Sequence, residues 1–230
     1  MNRRTVKPHF FLLIALGAAF GASAGDLNQT LARMDQAAAG FRGLTAKIKK
    51  TDYTAVIKEA AEESGRITMR RPKPRDLKML AEFSAPEERA VAFDGRKVQI
   101  YYPRILTVQE YDLGKQSSLI DQFLVLGFGS TSAELQKTYD IKWTGEELVN
   151  GIKCDRLELI PKSEEARQHV RRIEIWVSAQ DGLTQQQKIH QPSRDYKLVT
   201  YSEIKLNPPL NDASTKLKLP KGVKKETPQK

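Results

Sequence analysis

The segment that decides the fold reads SSLIDQFLVLG at residues 117–127. Its apolar positions are Leu119, Ile120, Phe123, Leu124 and Leu126. On a helix these side chains cover an arc wider than one amphipathic stripe, so the helix needs apolar cover on more than one side. We expect it to lie across the open mouth of a sheet, as a lid over an apolar cavity. The alternative is an ordinary core helix packed on a sheet.

On both sides of this segment the sequence alternates with a period of two, which is typical of β-strands. Apolar residues alternate at 44–48, 67–69, 77–83, 91–93 and 98–102, and again at 141–143, 157–159, 173–177 and 198–206. Turns are expected at Asp94-Gly95, Asn150-Gly151 and Asp181-Gly182. About nine to eleven strands in one domain predict a mainly β fold with some α, an unclosed antiparallel β-barrel or half-barrel.

Two further helices are expected. Apolar residues recur at helical spacing from Asp26, and Gly40 and Gly43 mark the end of that run. The sequence Thr131-Ser132-Ala133-Glu134 has the spacing of a capping box, so a short helix is expected to run from there to about Thr138. The fold would then have an N-terminal helix and a two-helix lid.

The first 24 residues have the pattern of a secretory signal peptide. Arg3, Arg4 and Lys7 precede an apolar run at 10–20, and Ala22-Ser23-Ala24 offers a small-residue cleavage site. This run is shorter than the roughly 20 apolar residues that a membrane-spanning helix needs. We expect cleavage after Ala24, a single domain over residues 25–230, and a soluble, exported protein.

The single cysteine, Cys154, excludes an internal disulfide, and it is far from the cleavage site where a lipid-anchored protein carries its cysteine. Loss of Arg3, Arg4 and Lys7 lowers the formal net charge from +10 to +7. A basic surface can favour anionic lipid head groups or an acidic protein partner, or it can simply be solvated.

No pattern in the sequence indicates an enzyme. His169 and His190 lack metal-ligand spacing to each other or to Cys154. His190, Ser193 and Asp195 are close in sequence, but they fit a polar turn better than a serine triad, which is normally assembled from distant segments. Gly127 and Gly129 lack the rest of a phosphate-loop motif and are interpreted as a break between two helices. We expect no catalysis, no metal and no cofactor.

Nucleic acid is a poor fit for this chain. An exported protein rarely meets nucleic acid, and the basic residues are dispersed without an aromatic stacking motif. Binding of an apolar ligand or of another protein remains.

The order of these elements is similar to that of a known family. It includes a strand that starts at Gly65 and ends in Arg70-Arg71-Pro72, and Asp94-Gly95 followed by Tyr101-Tyr102-Pro103. The mid-chain helices follow, then LELIPKS at 157–163 and LPKGVKK at 219–225. In this order the chain resembles the LolA family, the periplasmic carriers that move lipoproteins from the inner to the outer membrane.

The resemblance implies an apolar cavity, lidded by helices, that takes up the acyl chains of a lipoprotein. It also implies an arginine before a proline that hydrogen-bonds the lid when the cavity is empty. Arg71 matches that position, and Arg70 beside it leaves the register open by one residue. The alternative for either arginine is a solvated side chain at a strand end. An arginine fork can bind several carbonyl groups at once, which suits a latch.

From the alternation we expect a set of side chains to line the cavity. They are Leu77, Met79, Ile100, Tyr102 and Trp176, with Leu119, Phe123 and Leu126 from the lid. For Trp176 the face is open, because it alternates with Ile175 and Val177 and sequence does not say which face meets the cavity. For every member the alternative is ordinary core.

The chain departs from the family pattern after the proline. Family carriers often place an aromatic residue there, whereas this chain has Lys73-Pro74-Arg75-Asp76. That departure concerns the surface for the inner-membrane lipoprotein-releasing transporter, the expected donor. An outer-membrane acceptor is the other expected partner, and a monomer is expected. The alternatives are a lipid- or lipoprotein-sensing regulatory module of the same fold, or a carrier of a free phospholipid or glycolipid.

Overall fold

The computed structural model describes residues 24–73, 76–114 and 126–228. The expected signal peptide, apart from Ala24, lies outside the described residues. So does most of the segment that opens the sequence analysis, including Leu119 and Phe123. No helix within the described ranges is long and apolar enough to cross a membrane.

One sheet of twelve strands forms the body of the described chain. The strands are β1 (Gly43–Thr54), β2 (Glu59–Lys73), β3 (Asp76–Ala85), β4 (Arg89–Asp94), β5 (Lys97–Tyr102), β6 (Thr107–Asp112), β7 (Tyr139–Val149), β8 (Ile152–Pro161), β9 (Arg172–Ser178), β10 (Thr184–His190), β11 (Tyr196–Leu206) and β12 (Lys224–Glu226). Their order is β12-β6-β5-β4-β3-β2-β1-β11-β10-β9-β8-β7. The sheet is therefore open, with β7 and β12 at its edges, as the sequence predicts.

The sheet consists of two antiparallel meanders joined where β1 pairs with β11. We call β1–β6 the first half-sheet and β7–β11 the second half-sheet. β12 pairs in parallel with β6. The strand count of nine to eleven was too low, because β6, β10 and β12 were not predicted. β10 reads TQQQKIH, which is mostly polar. β6 reads TVQEYD and β12 reads KKE, and neither has a run of alternating apolar residues.

Three α-helices accompany the sheet in the described part of the chain. They are α1 (Ala24–Ala39), α2 (Ser132–Thr138) and α3 (Glu164–His169). The expected N-terminal helix is confirmed. The capping box before α2 is also confirmed, because the Glu134 N–H donates to Thr131 Oγ1 at 3.3 Å and the Thr131 N–H donates to Glu134 Oε2 at 3.0 Å. α3 was not predicted, since its six residues are mostly polar and carry no apolar periodicity.

Alternation along each strand gives the sheet two different faces. In β1, Leu44, Ala46 and Ile48 are buried while Lys47 and Lys49 are exposed. The buried side chains of neighbouring strands meet in register on the same face, which we call the inner face. The opposite, outer face of the first half-sheet is partly covered by the chain after β11. There a 3₁₀ turn, Asp212–Thr215, contacts β2 and β3 before β12 reaches β6.

Candidate functional site

Apolar side chains form continuous rows across the inner face of the first half-sheet. One row runs Leu44, Met69, Met79, Phe93, Val98 from β1 to β5. The next row runs Ala46, Ile67, Ala81, Val91, Ile100. Along β3 the apolar face extends from Leu77 to Phe83, which is roughly 20 Å at about 3.3 Å per residue. The rows form an apolar surface that is wide enough and long enough for hydrocarbon chains.

Four of the predicted cavity residues lie on this surface. Leu77 and Met79 are buried within its apolar cluster. Ile100 and Tyr102 are half-buried and share the face with Val98, because alternate residues of a strand point the same way. The structure therefore brings these four together on one face.

The segment 126–130, directly after the predicted lid helix, spans both halves of the inner face. Leu126 is buried against the second half-sheet, and Phe128 is buried against the first. Phe128 also packs edge-on against Tyr201, with ring centroids 4.9 Å apart. This short segment therefore covers the inner face near the junction of β1 and β11.

Two glycines let this segment approach the sheet closely. Gly127 has a φ of +79°, and a Cβ there would lie 1.7 Å from Thr184 Oγ1. Gly129 has a φ of +76°, and a Cβ there would lie 2.5 Å from Phe41 Cδ1 and 2.9 Å from Arg71 Nη1. Both positions require glycine for conformation and for space. The sequence interpretation of a simple break between helices missed this close contact.

Arg71 connects the sheet to this segment. Its Nη1 donates a hydrogen bond to the Gly129 carbonyl oxygen at 2.7 Å, and its guanidinium lies 5.4 Å from the centre of the Phe41 ring. Arg70 points to the other side and forms an ion pair with Asp212. The alternation of β2 explains the difference. Ile67 and Met69 face inward, and Arg71, two residues after Met69, faces the same side.

The far end of the inner face is charged. Lys50 Nζ lies 2.8 Å from Glu63 Oε2, and Arg89 Nη2 lies 2.7 Å from Glu63 Oε1. Both cations lie over the ring of Phe83, Arg89 at 4.8 Å and Lys50 at 5.9 Å from its centre. The apolar rows stop at these charged groups. The apolar surface therefore lies between this charged end and the end at which Arg71 lies.

Asp52 joins the charged end through Lys50 and Lys197. Burial raises the pKa of its carboxyl, but the hydrogen bonds from the two lysines outweigh burial, and the pKa is lowered. Asp52 is therefore ionised at neutral pH, and an apolar chain does not pass this end of the face without desolvating charges.

The inner face of the second half-sheet is filled by helices. Leu31 and Met34 of α1 and Leu135 of α2 pack with buried residues of β8 and β9. Leu126, a predicted lid residue, belongs to this cluster and not to the cluster that holds Leu77 and Met79. Asp155 is buried beneath α1, where it pairs with Arg33 and accepts a hydrogen bond from Trp143 Nε1 at 2.9 Å. This region is an ordinary packed core.

Trp176 lies on the outer face, away from the other predicted cavity residues. Its neighbours Ile175 and Val177 belong to the inner cluster, whereas Trp176 packs with Val149 and Cys154. Its Nε1 donates to Glu147 Oε2 at 2.7 Å. The sequence pattern did not determine which face of β9 points inward. In the structure Ile175 and Val177 point inward, so Trp176 points outward and does not line the predicted cavity.

Three charged side chains, of which only Glu174 is buried, lie beside Trp176 on the outer face. Arg156 lies 5.4 Å from the centre of the Trp176 ring and pairs with Glu147 and Glu174. Burial raises the pKa of Glu174, but hydrogen bonds from Arg156 and His190 outweigh burial, and the pKa is lowered. His190 is thus engaged with Glu174, while the Ser193 hydroxyl donates to Asp195 at 2.8 Å. His190, Ser193 and Asp195 therefore do not form a catalytic triad.

The thiol of the single cysteine, Cys154, is not accessible to solvent. Cys154 is fully buried, and burial raises the pKa of its thiol to about 11. Among residues 24–73, 76–114 and 126–228 there is no group of three or more His, Cys, Asp or Glu side chains that could hold a metal ion. What the described site offers is an apolar surface between an arginine end and a charged end.

Sequence reasoning missed several residues of this site. Phe41, Phe128 and Tyr201 all pack on the apolar surface of the first half-sheet. Tyr201 was detectable, since it alternates with Val199 in β11. Lys50 is the next alternate residue of β1 after Leu44, Ala46 and Ile48, so its side chain is expected on the inner face. The charged end of the site could therefore have been inferred from β1.

Comparison with known proteins gives the relation of this chain to others. Residues 39–217 match the family described as "Outer membrane lipoprotein carrier protein LolA". No protein of curated function is significantly similar in sequence.

Similar folds occur among solved structures. An uncharacterized conserved protein from Thermus thermophilus is 14% identical with a TM-score of 0.54, over 88% of this chain and 99% of that one. MucB is 14% identical with a TM-score of 0.53, over 86% of this chain and 65% of its own length. At this identity the two structures show the fold alone. The family match takes in β1 to β11 and both described helices after α1, and the chain therefore belongs to the LolA family of outer membrane lipoprotein carrier proteins.

Proposed function

We propose that this chain is a periplasmic carrier that binds the acyl chains of lipoproteins on the inner face of the first half-sheet and ferries them from the inner to the outer membrane. In this proposal the signal peptide 1–24 directs export, and residues 25–230 act as one monomeric domain. An inner-membrane lipoprotein-releasing transporter is the donor, and an outer-membrane acceptor receives the cargo.

One observation carries the proposal. The apolar rows of the first half-sheet are covered near their Arg71 end by a short segment that is tied to the sheet through the Gly129 carbonyl group. Opening this segment breaks the hydrogen bond from Arg71 and exposes the buried Phe128 side chain, a local change that does not require the sheet to unfold. Such a cover can move aside when acyl chains enter.

The energy for binding comes from the exclusion of water. Each buried methylene contributes about 0.8 kcal/mol, so even part of a long acyl chain supplies ample affinity. Transfer then needs only a partner with a more favourable groove. The proposal includes no catalytic step, no metal and no cofactor.

Binding can be tested with an environment-sensitive hydrophobic probe and the substitution Phe123→Glu in the predicted lid. If Phe123 belongs to a lid, the variant stays folded and loses probe binding. If Phe123 is a core residue, the variant unfolds, and the circular dichroism spectrum distinguishes the two results.

Transport can be tested by depletion of the protein in its own cell. A carrier's loss leaves lipoproteins at the inner membrane, which membrane fractionation detects. An unchanged lipoprotein distribution together with a shifted envelope stress response would favour the sensing module of the same fold and contradict the carrier.

A further inference from the structure

Two polar side chains of β10 are buried in the apolar inner face. Thr184 is fully buried and Gln187 is 7% exposed. Thr184 lies opposite Val177 of β9 and Gln187 lies opposite Ile175, so both point to the face on which those apolar residues lie. In the described part of the chain, neither Thr184 Oγ1 nor Gln187 Oε1 has a hydrogen-bond partner. Buried oxygens without a partner are rare in folded proteins.

A β-bulge places these two side chains on one face. The pairing of β10 with β9 shifts in register between Thr184 and Gln186, so Gln185 is an extra residue in β10. Without the shift, Thr184 and Gln187 would point to opposite faces, because they are three residues apart. Bulges are over-represented next to active sites, where they re-aim side chains.

The pair lies where the two half-sheets meet. Gln187 is flanked by Ile175 on β9 and by Val199 on β11, and Val199 packs against the apolar cluster of the first half-sheet. Thr184 lies beneath Gly127, since a Cβ at Gly127 would be 1.7 Å from Thr184 Oγ1. The movement of segment 126–130 that the proposed function requires would therefore uncover Thr184. A ligand whose chain lies on the first half-sheet can then present its polar end to this pair.

The chemistry of the two side chains restricts the group that they can bind. The glutamine carbonyl oxygen only accepts hydrogen bonds, whereas the threonine hydroxyl both donates and accepts. The hydrocarbon part of an acyl chain does neither, and an ester group accepts but does not donate. A secondary amide donates through its N–H and accepts through its carbonyl oxygen. An amide group therefore complements both side chains.

We propose that Gln187 and Thr184 form a subsite for the amide group that joins an acyl chain to a peptide. The amide N–H donates to Gln187 Oε1, and the acyl carbonyl oxygen accepts from the Thr184 hydroxyl. The subsite rests on the proposed acyl-chain site and extends it, because it selects an acylated peptide over a phospholipid, whose chains are joined by esters. Binding of the amide gives partners to polar groups that are buried without them in the empty protein.

The test compares N-lauroylglycine with N-lauroylsarcosine by titration calorimetry of the mature protein, below the concentrations at which they form micelles. The two ligands share the chain, the acyl carbonyl and the carboxylate, but a methyl group replaces the amide hydrogen in the second. We expect the parent protein to bind N-lauroylglycine at least fivefold more tightly, because the second ligand leaves Gln187 Oε1 unpaired. Equal affinities overturn the subsite and leave the acyl-chain site standing. If neither ligand binds, both proposals are wrong.

The substitution Gln187→Met keeps a long unbranched side chain and removes the carbonyl group. The preference for N-lauroylglycine should fall below twofold. A preference that came from the bulk of the methyl group alone would persist in this variant and overturn the subsite. Without ligand, the urea midpoint should be unchanged or higher, because an unpaired buried polar group is removed. A lower midpoint with equal weakening of both ligands would show a structural role for Gln187 instead.

Two further variants complete the test. Thr184→Val should weaken both ligands about threefold without changing their ratio, since both contain the acyl carbonyl group, and unchanged affinities would contradict the role of Thr184. Gln186→Met is the matched control. Gln186 lies opposite Trp176 on the outer face and already accepts a hydrogen bond from Thr200 Oγ1 at 2.9 Å. This variant should keep the preference of the parent, and a loss of preference there would overturn the assignment to Gln187.

Discussion

The two half-sheets have the same alternating strands but differ in what covers them. The inner face of the second half-sheet is packed by α1 and α2 through Leu31, Met34 and Leu135. On the first half-sheet the described cover comes from Phe41, Phe128 and Leu113, which lie outside regular helices. An apolar strand face is therefore not by itself a core or a site. Whether such a face is a core or a binding site depends on the elements that cover it.

This difference has an energetic meaning. Helices that pack through several buried side chains leave the sheet only when the domain unfolds, whereas a short loop segment can open locally. We therefore expect the second half-sheet to determine stability and the first to determine ligand binding. The predictions below test that division.

The largest effect is expected for a charge in the filled half. Ile175 is fully buried in the cluster of the second half-sheet, so Ile175→Glu buries an unpaired carboxylate and should cost more than about 4 kcal/mol of unfolding free energy. Urea unfolding measures it. The matched change Ile100→Glu, on a half-buried position of the first half-sheet, should cost less than about 2 kcal/mol and abolish hydrophobic probe binding. Equal losses of stability would contradict the division.

The next effect concerns the segment 126–130. Gly127→Ala combines a φ of +79° with a Cβ that meets Thr184, so the closed position of the segment should lose about 3 kcal/mol. Since this loss is local, hydrophobic probe affinity should rise at least fivefold. Gly222→Ala is the control, because its φ is +84° with no atom within 4 Å of the added Cβ. The control should show only strain of about 1 kcal/mol in thermal unfolding. Unchanged probe affinity in Gly127→Ala would mean that the segment does not cover the site.

The outer face of the second half-sheet provides a pH test. Glu174 has a lowered pKa, so it stabilises the fold above the unfolded pKa of about 4.5, and this contribution is lost as the pH falls through the folded value. Glu174→Gln should lose about 2 kcal/mol at neutral pH and show a flatter fall in stability below about pH 4.5. Probe affinity of the folded variant should stay as in the parent. A parallel pH profile in parent and variant would exclude this role of Glu174.

The smallest effect is expected at the two arginines. Arg71→Leu removes the hydrogen bond to Gly129, so probe uptake should become easier or release slower, with a stability change within about 1 to 2 kcal/mol. Arg71→Lys keeps the charge without the planar fork and should behave more like Arg71→Leu than like the parent. Arg70→Leu is the matched variant on the outer face. If the probe kinetics change only in Arg70→Leu, then Arg70, and not Arg71, is the arginine that acts as the latch.

The sequence contained most of the architecture. The alternation in β1 to β5, in β7 to β9 and in β11, the turn glycines and the Thr131–Glu134 cap are local signals, and local interactions form the elements that they predict. β12 was not predictable because its three residues are held by the edge of β6, which is distant in sequence. Pairing at long sequence separation leaves no local pattern.

The candidate site was only partly predictable for the same reason. Because alternate residues of a strand point to the same face, the sequence places Leu77, Met79, Ile100 and Tyr102 on one face. The same rule places Arg71 on the face of Met69 and Arg70 on the opposite face. It does not say which face of β9 turns inward, so Trp176 was left open. Nor does it show that Phe128 and Leu126 pack on different half-sheets, since that depends on the path of segment 126–130.

The central claim is that acyl chains bind on the first half-sheet and not on the second. A palmitate analogue with a photoreactive diazirine near the end of its chain can be bound to the mature protein, crosslinked by light and mapped by mass spectrometry of its peptides. The account predicts crosslinks on inner-face residues of β2 to β5, such as Met69, Met79 and Ile100. Crosslinks confined to β8 and β9, or to outer-face residues such as Leu80 and Trp176, would contradict it.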